Sequence, residues 1–98
     1  SGDFVPEIEA WAFRLLALAE SGQAAAALAA VAGLTDPDTV VGVAALVALP
    51  DAEPARSVVR ALYARALAAR PRARWRTQEA FAPVWRTACG AGQQGPSQ

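Results

Sequence analysis

The residues best suited to chemistry lie in an arginine-rich segment, 70–76. Four arginines alternate with other residues around one tryptophan, in the order Arg70, Arg72, Arg74, Trp75, Arg76. Guanidinium groups fork onto carboxylate or phosphate, and an indole ring can stack on a base or lie at a lipid interface. Three interpretations stay open: contact with an acidic protein, contact with nucleic acid or lipid headgroups, and a solvated linker that pairs with acids of the same chain.

The charged residues are separated along the chain. Residues 1–53 carry eight carboxylates and one arginine, whereas residues 54–98 carry eight arginines and one glutamate. The halves therefore bear about −7 and +7, and they can pair within one fold, between two copies or with a charged partner. The net charge of the whole chain is zero. Since nucleic-acid-binding domains are usually basic overall, this balance favours a protein partner.

The residue types that usually carry catalysis are scarce. The chain has no histidine, no lysine and one cysteine, Cys89. Zinc and iron sites need clusters of His, Cys and carboxylates, and activated nucleophiles usually need His or a tuned Lys. Two acidic pairs, Glu7 with Glu9 and Asp36 with Asp38, fall in predicted first helical turns, where they stabilise the helix. We therefore expect no enzyme activity, no metal site and no cofactor.

Composition predicts an all-α fold. The apolar fraction is 54% and about half of it is alanine, the strongest helix former. Alternation of apolar and polar residues with the period of a strand appears nowhere for long. The absence of lysine suggests a GC-rich bacterial genome, and a single cysteine suits a reducing cytoplasm. No stretch approaches the ~20 apolar residues of a membrane span.

Proline and glycine divide the chain into five predicted helices. Pro83 inside the last helix predicts a kink or a late start. The predicted helices cover Pro6–Ser21, Gln23–Ala32, a stretch from a cap at Thr35 or Asp36 to about Leu49, a stretch from Asp51 or Ala52 to Pro71, and a stretch that begins with an N-cap at Thr77. These helices form one domain, 6–89, with residues 1–5 as a cleavage scar or arm and 90–98 as a disordered tail.

The third predicted helix is apolar almost all round, which indicates the middle of a bundle. We expect Val43 and Leu46 to be buried there. A strand at residues 39–43 is the competing interpretation, because β-branched residues cluster in that stretch. The flanking Asp36-Pro37-Asp38 and the length of the apolar run favour a helix.

Residues 23–70 resemble a HEAT repeat around the Asp-Pro turn. The residues that carry the resemblance are Asp36, Pro37, Asp38, Val41, Ala44, Ala45, Ala48 and Leu49. Gly42 departs from the family, which often has arginine after the valine. Val59, Tyr63, Ala66 and Pro71 resemble the second helix of a tetratricopeptide repeat, although Pro50 breaks the first helix that such a repeat needs. These resemblances imply antiparallel helix pairs, stacked as a solenoid that binds other proteins.

Residues 23–49 also resemble a helix-turn-helix, with the turn at 32–34 and a recognition helix at Thr39–Leu49. A reading helix must present polar side chains to base edges. This helix presents Val, Gly, Ala and Leu, and Asp36 and Asp38 at its start would repel phosphate. Nucleic-acid binding is therefore an alternative to protein binding rather than the favoured interpretation.

Together these observations predict a non-catalytic protein–protein interaction module, such as an adaptor, chaperone or docking domain of a larger bacterial assembly. We expect an apolar groove flanked by the fourth and fifth helices, with an arginine rim that steers an acidic partner. Self-association of two copies is the next alternative. The candidate partner-binding residues are Arg56, Arg60, Tyr63, Arg70, Arg72, Arg74, Trp75, Arg76, Phe81 and Trp85.

Overall fold

A computed structural model describes residues 6–72 and 75–90, with Trp75 described by its backbone alone. This part of the chain contains five helices and no strand, which confirms the predicted all-α bundle. The helices are α1 (Pro6–Glu20), α2 (Ala24–Gly33), α3 (Pro37–Leu46), α4 (Ala55–Ala68) and α5 (Trp75–Gly90). The predicted arm, 1–5, and residues 91–98 of the predicted tail lie outside the described residues, while Gly90 belongs to α5.

Local signals set the end of α1 and the start of α3 as predicted. Gly22 follows α1 with φ of +85°, a left-handed conformation that ends helices and favours glycine. Asp36 is the N-cap of α3: its carboxylate accepts hydrogen bonds from the Thr39 amide at 3.0 Å and the Thr39 hydroxyl at 2.8 Å. These bonds favour the ionised carboxylate and lower the pKa of Asp36 below its usual value.

Several other helix boundaries differ from prediction, among them the end of α4, which lies at Ala68 rather than at Pro71. The third helix ends at Leu46 rather than near Leu49. Its C-cap, Val47, is extended, and the Val47 carbonyl accepts a hydrogen bond from the hydroxyl of Tyr63 on α4. Tyr63 lies sixteen residues after Val47 in the sequence. Its hydrogen bond ties the end of α3 to α4.

The fourth and fifth helices begin at other residues than expected. Helix α4 begins at Ala55 rather than at residue 51 or 52. In its first turn, the Glu53 carboxylate accepts hydrogen bonds from the Ser57 amide at 3.0 Å and the Ser57 hydroxyl at 2.7 Å. Helix α5 begins two residues before the predicted cap at Thr77 and continues through Pro83. The predicted late start at Pro83 is therefore wrong.

The hub of the bundle is α4, which packs against each of the other four helices, rather than the predicted α3. Helix α3 packs against α1, α4 and α5, and its residues Val40–Ala44 are all buried. Gly42 allows the close approach of α1, since a Cβ there would lie 3.1 Å from the Cδ1 atom of Ile8. Leu46, which we expected to be buried, is 36% exposed because it lies beyond these contacts at the end of α3.

The α2–α3 junction matches the HEAT-like turn locally but not in its packing. Helix α2 ends at Gly33, Asp36 caps the next helix and Pro37 begins it. In the described residues, however, α2 packs against α1 and α4 and makes no close contact with α3. The antiparallel α2–α3 pair that the resemblance implies is therefore not formed.

Helix α5 lies at the edge of the bundle, where its described residues pack against α3 and α4 alone. Trp85, 1% exposed, anchors it. The Trp85 ring stacks against the rings of Tyr63 and Phe81, with centroid distances of 6.0 Å in both pairs. Gln78 adds a polar anchor by donating hydrogen bonds to the carbonyls of Ala66 and Ala69 at the end of α4.

Candidate protein-binding surface

Exposed apolar side chains gather on one side of the molecule, where α1, the end of α3 and α5 meet. The described chain has five large hydrophobic residues that are exposed, and four of them lie here. The fifth, Leu28, lies on α2. With two half-buried leucines, the four form what we call the apolar strip: Phe13, Leu16, Leu46, Leu49, Phe81 and Val84.

Three adjoining open cavities make the strip continuous. The α1 cavity, about 240 Å³, is bordered by Phe13 and Leu46. The middle cavity, about 320 Å³, shares Leu46 with it and lies between the end of α3 and α5. The α5 cavity, about 430 Å³, shares Leu49 and Val84 with the middle cavity. The shared lining residues place the three cavities next to one another along the strip.

The charged residues of the strip stand at its two ends. Glu9 lines the α1 cavity and Arg56 lines the α5 cavity. No described residue that lines the middle cavity is charged. The strip is therefore apolar at its centre, acidic at one end and basic at the other.

Helical spacing explains why α5 presents this surface. Trp85 faces the core, and Phe81 and Val84 lie on the side of the helix that is turned toward α3. Glu79 and Arg86 lie on the opposite side, where they border a separate cleft of about 720 Å³ with the end of α4. One side of α5 is thus apolar and the other is charged.

The aromatic residues predicted for the groove divide between its base and its surface. Tyr63 and Trp85 are 2% and 1% exposed, so they form the base of the middle cavity instead of an exposed contact surface. Burial also raises the pKa of Tyr63. Phe81 reaches the surface, with 36% of its area exposed. The side chain of Trp75 and all of Arg74 lie outside the described residues.

The predicted arginine rim is spread around the molecule. Of the described candidates, Arg56 alone borders the strip, where its guanidinium donates to the Pro50 carbonyl at 3.1 Å. Arg60 lies 3.7 Å from the Glu53 carboxylate, a partly exposed pair that contributes little to stability.

The remaining candidate arginines lie away from the strip's cavities. Arg70 borders the cleft on the charged side of α5. The backbone amide of Arg72 donates to the Asp38 carboxylate at 3.0 Å, and the side chain of Arg76 is exposed near the start of α5. Arg72 thus contacts the acidic half through its backbone amide, whereas Arg60 contacts it through its guanidinium at Glu53.

The structure leaves little of α3 for reading DNA. Residues Val40–Ala44, the first half of the proposed recognition helix, are buried and cannot reach base edges. Among residues 6–72 and 75–90, no group of three or more His, Cys, Asp or Glu side chains could hold a metal ion. The described helices include none with the length and apolarity to cross a membrane.

Cys89 is half-buried at the end of α5, and its Sγ atom lies 3.5 Å from the Arg60 carbonyl. Burial raises the pKa of its thiol, which keeps the sulfur protonated at neutral pH and lowers its reactivity. The thiol is therefore a packing group in this structure.

Sequence reasoning missed Phe13, Leu46 and Val84 as surface residues. Phe13 gives a signal that could have been used: it is a large aromatic residue that falls outside the apolar arc of α1 formed by Ile8, Ala12 and Leu15. Comparisons with known proteins add no further assignment, because no family model, no curated protein and no solved structure matches this chain.

Proposed function

We propose that this chain is a non-catalytic protein–protein interaction module that binds an acidic partner surface through the apolar strip. The observation that carries the proposal is the continuity of four exposed large side chains across three helices. Large contiguous apolar patches on small soluble domains mark interaction surfaces. The setting we propose is an adaptor or docking role within a larger bacterial assembly in the cytoplasm.

The physical basis of binding would be divided between apolar contact and charge. Aromatic and aliphatic residues at the centre of an interface supply most of its affinity, and Phe81 and Val84 occupy that position in the strip. Charged groups at the rim mainly raise the association rate and set orientation. Arg56 at the α5 cavity favours a partner that carries carboxylates.

Site-specific photo-cross-linking in the native host tests the proposal. A photoreactive amino acid at Val84 would form adducts with a partner, whereas the same amino acid at Leu28 is the matched control, since Leu28 is exposed to a similar degree on α2. Excess wild-type chain would compete for the adducts and the Val84→Glu variant would not. Equal adduct formation at the two positions, or none at Val84, would refute the proposal.

Ionic strength tests the charge component separately. Raising salt to about 0.5 M shortens the Debye length to roughly 4 Å and screens exposed charges. The yield of Val84 adducts should fall while the fold, followed by circular dichroism, is unchanged. A yield that does not respond to salt would contradict electrostatic steering.

A further inference from the structure

We infer that the strip binds a second copy of this chain, in a two-fold dimer that sets the α1 end of each strip on the α5 end of the other. This inference rests on the proposed function and names the partner. The proposed partner surface carries an apolar residue next to carboxylates. Such a surface exists on the chain itself, at the α1 end of the strip.

The two ends of the strip complement each other in shape and charge. At the α1 end, Phe13 projects with 73% of its area exposed, and Glu9 lies one helical turn before it. At the α5 end, an open cavity of about 430 Å³ is lined by Leu49, Val84 and Arg56. This cavity is open, and Leu49 and Val84 in its lining offer an apolar surface on which a phenyl ring can lie.

The centre of the strip satisfies the other requirement of a two-fold interface. Such an interface is self-complementary, so residues near the axis must tolerate their own copies. Leu46 and Phe81 lie at the centre, and no described lining residue of the middle cavity is charged. Apolar side chains would therefore meet apolar side chains at the axis, and no like charges would meet there.

Charge selects the antiparallel arrangement of the two strips. With the strips antiparallel, Glu9 of each copy faces Arg56 of the other. With the strips parallel, each charge would face its own copy, which disfavours that arrangement. The two halves of the sequence carry net charges of about −7 and +7, and their attraction over a longer range also favours the antiparallel arrangement.

Analytical ultracentrifugation of the complete chain, from about 1 μM to about 500 μM, tests the dimer. We expect a concentration-dependent monomer–dimer equilibrium. Phe13→Glu and Val84→Glu should each weaken association by about 100-fold or more, since each places two carboxylates in the apolar interface. Leu28→Glu, the matched control on α2, should leave it unchanged. A wild-type chain that stays monomeric throughout, or an equal loss in Leu28→Glu, would overturn the inference.

A charge exchange tests the arrangement without disturbing the apolar contacts. Glu9→Arg and Arg56→Glu should each weaken self-association about tenfold, because each creates two like-charge contacts in the dimer. Mixed together, the two variants should restore it, since every contact between them then joins opposite charges. Failure of the mixture to associate more tightly than either variant alone would overturn the antiparallel arrangement. Circular dichroism melts of both variants confirm that each is folded.

The outcomes separate this inference from the proposed function. A monomeric chain whose Val84 position cross-links to a different protein would overturn the dimer and support the interaction module. A monomeric chain with no Val84 adduct would overturn both. Val84 adducts between two copies, together with restored association in the charge exchange, would support both.

Discussion

Helix α3 packs against three other helices, whereas the described part of α5 packs against two. Both carry large apolar side chains. In α3, five consecutive residues, Val40–Ala44, are buried. In α5, Trp85 is buried while its neighbour Val84 is 56% exposed. Cover by other helices, rather than apolar content, decides which residues of a helix are buried.

The same comparison explains the position of the strip. Leu46 is the last residue of α3, three residues after fully buried Val43. The side chain of Leu46 is partly exposed although Val47, the next residue, is only 4% exposed, so the Leu46 side of α3 joins the surface that α5 continues. The strip is the region of the described fold where apolar side chains are left uncovered by another helix.

The largest expected effect comes from paired substitutions in α3. Val43→Asp would bury a carboxylate at a position that is 0% exposed. That cost, more than about 5 kcal/mol, is comparable to the stability of a small domain, so the chain should unfold. Leu46→Asp should cost only about 1–2 kcal/mol, because its side chain is partly exposed. Circular dichroism melts measure both, and a native-like melt of Val43→Asp would refute the burial of α3.

A second pair compares adjacent residues of α5. Trp85→Ala should lower the free energy of unfolding by about 3–5 kcal/mol, since it removes the buried ring that stacks on Tyr63 and Phe81. Val84→Ala should change it by less than about 1 kcal/mol. Urea denaturation provides both values. Similar losses at the two positions would show that α5 does not have distinct core and surface sides.

A smaller effect tests the close contact that buries α3. Gly42→Ala improves helix propensity but places a Cβ 3.1 Å from Ile8 Cδ1. Ile8→Val removes that atom. The free energy of unfolding of the double variant should therefore exceed the value expected from adding the two single changes by about 0.5–1 kcal/mol. Additive changes in urea denaturation would show that α1 does not limit space at Gly42.

The smallest effect concerns the start of α3, which local contacts set. The lowered pKa of Asp36 means that its contribution to stability is present above its unfolded value of 3.8 and is lost as pH falls through the lower folded value. The difference in melting temperature between wild type and Asp36→Ala should thus shrink below about pH 4. Asp36→Asn keeps a capping oxygen but does not titrate, so its difference from Asp36→Ala should not change with pH. If the difference in melting temperature between wild type and Asp36→Ala also stays constant with pH, the assignment of the Asp36 carboxylate as the cap of α3 would be contradicted.

Residues with a local cause were predicted most accurately. Gly22 ends a helix and Asp36 with Pro37 begins one, because each acts on backbone groups within four residues. The start of α4 was placed at Asp51 or Ala52, but the helix begins later, at Ala55. The start of α5 was missed because Thr77, the one cap-type residue in that stretch, lies inside the helix. The end of α3 was missed because Tyr63, sixteen positions along the chain, binds the carbonyl of Val47.

The candidate site was predicted only in part for a related reason. Phe81, predicted for the groove, is 36% exposed, whereas Tyr63 and Trp85, predicted with it, are buried beneath the surface. Helical spacing shows that such residues share one side of a helix. It does not show how far into the protein that side extends.

The amino-acid sequence alone determined the all-α class, the cap of α3 and the separation of charge, since these follow from contacts between residues close in the chain or from composition itself. The tertiary structure decided which helix became the hub and which apolar side chains remained exposed. Exposure depends on how many other helices cover a surface, and that number follows from the packing of the whole bundle.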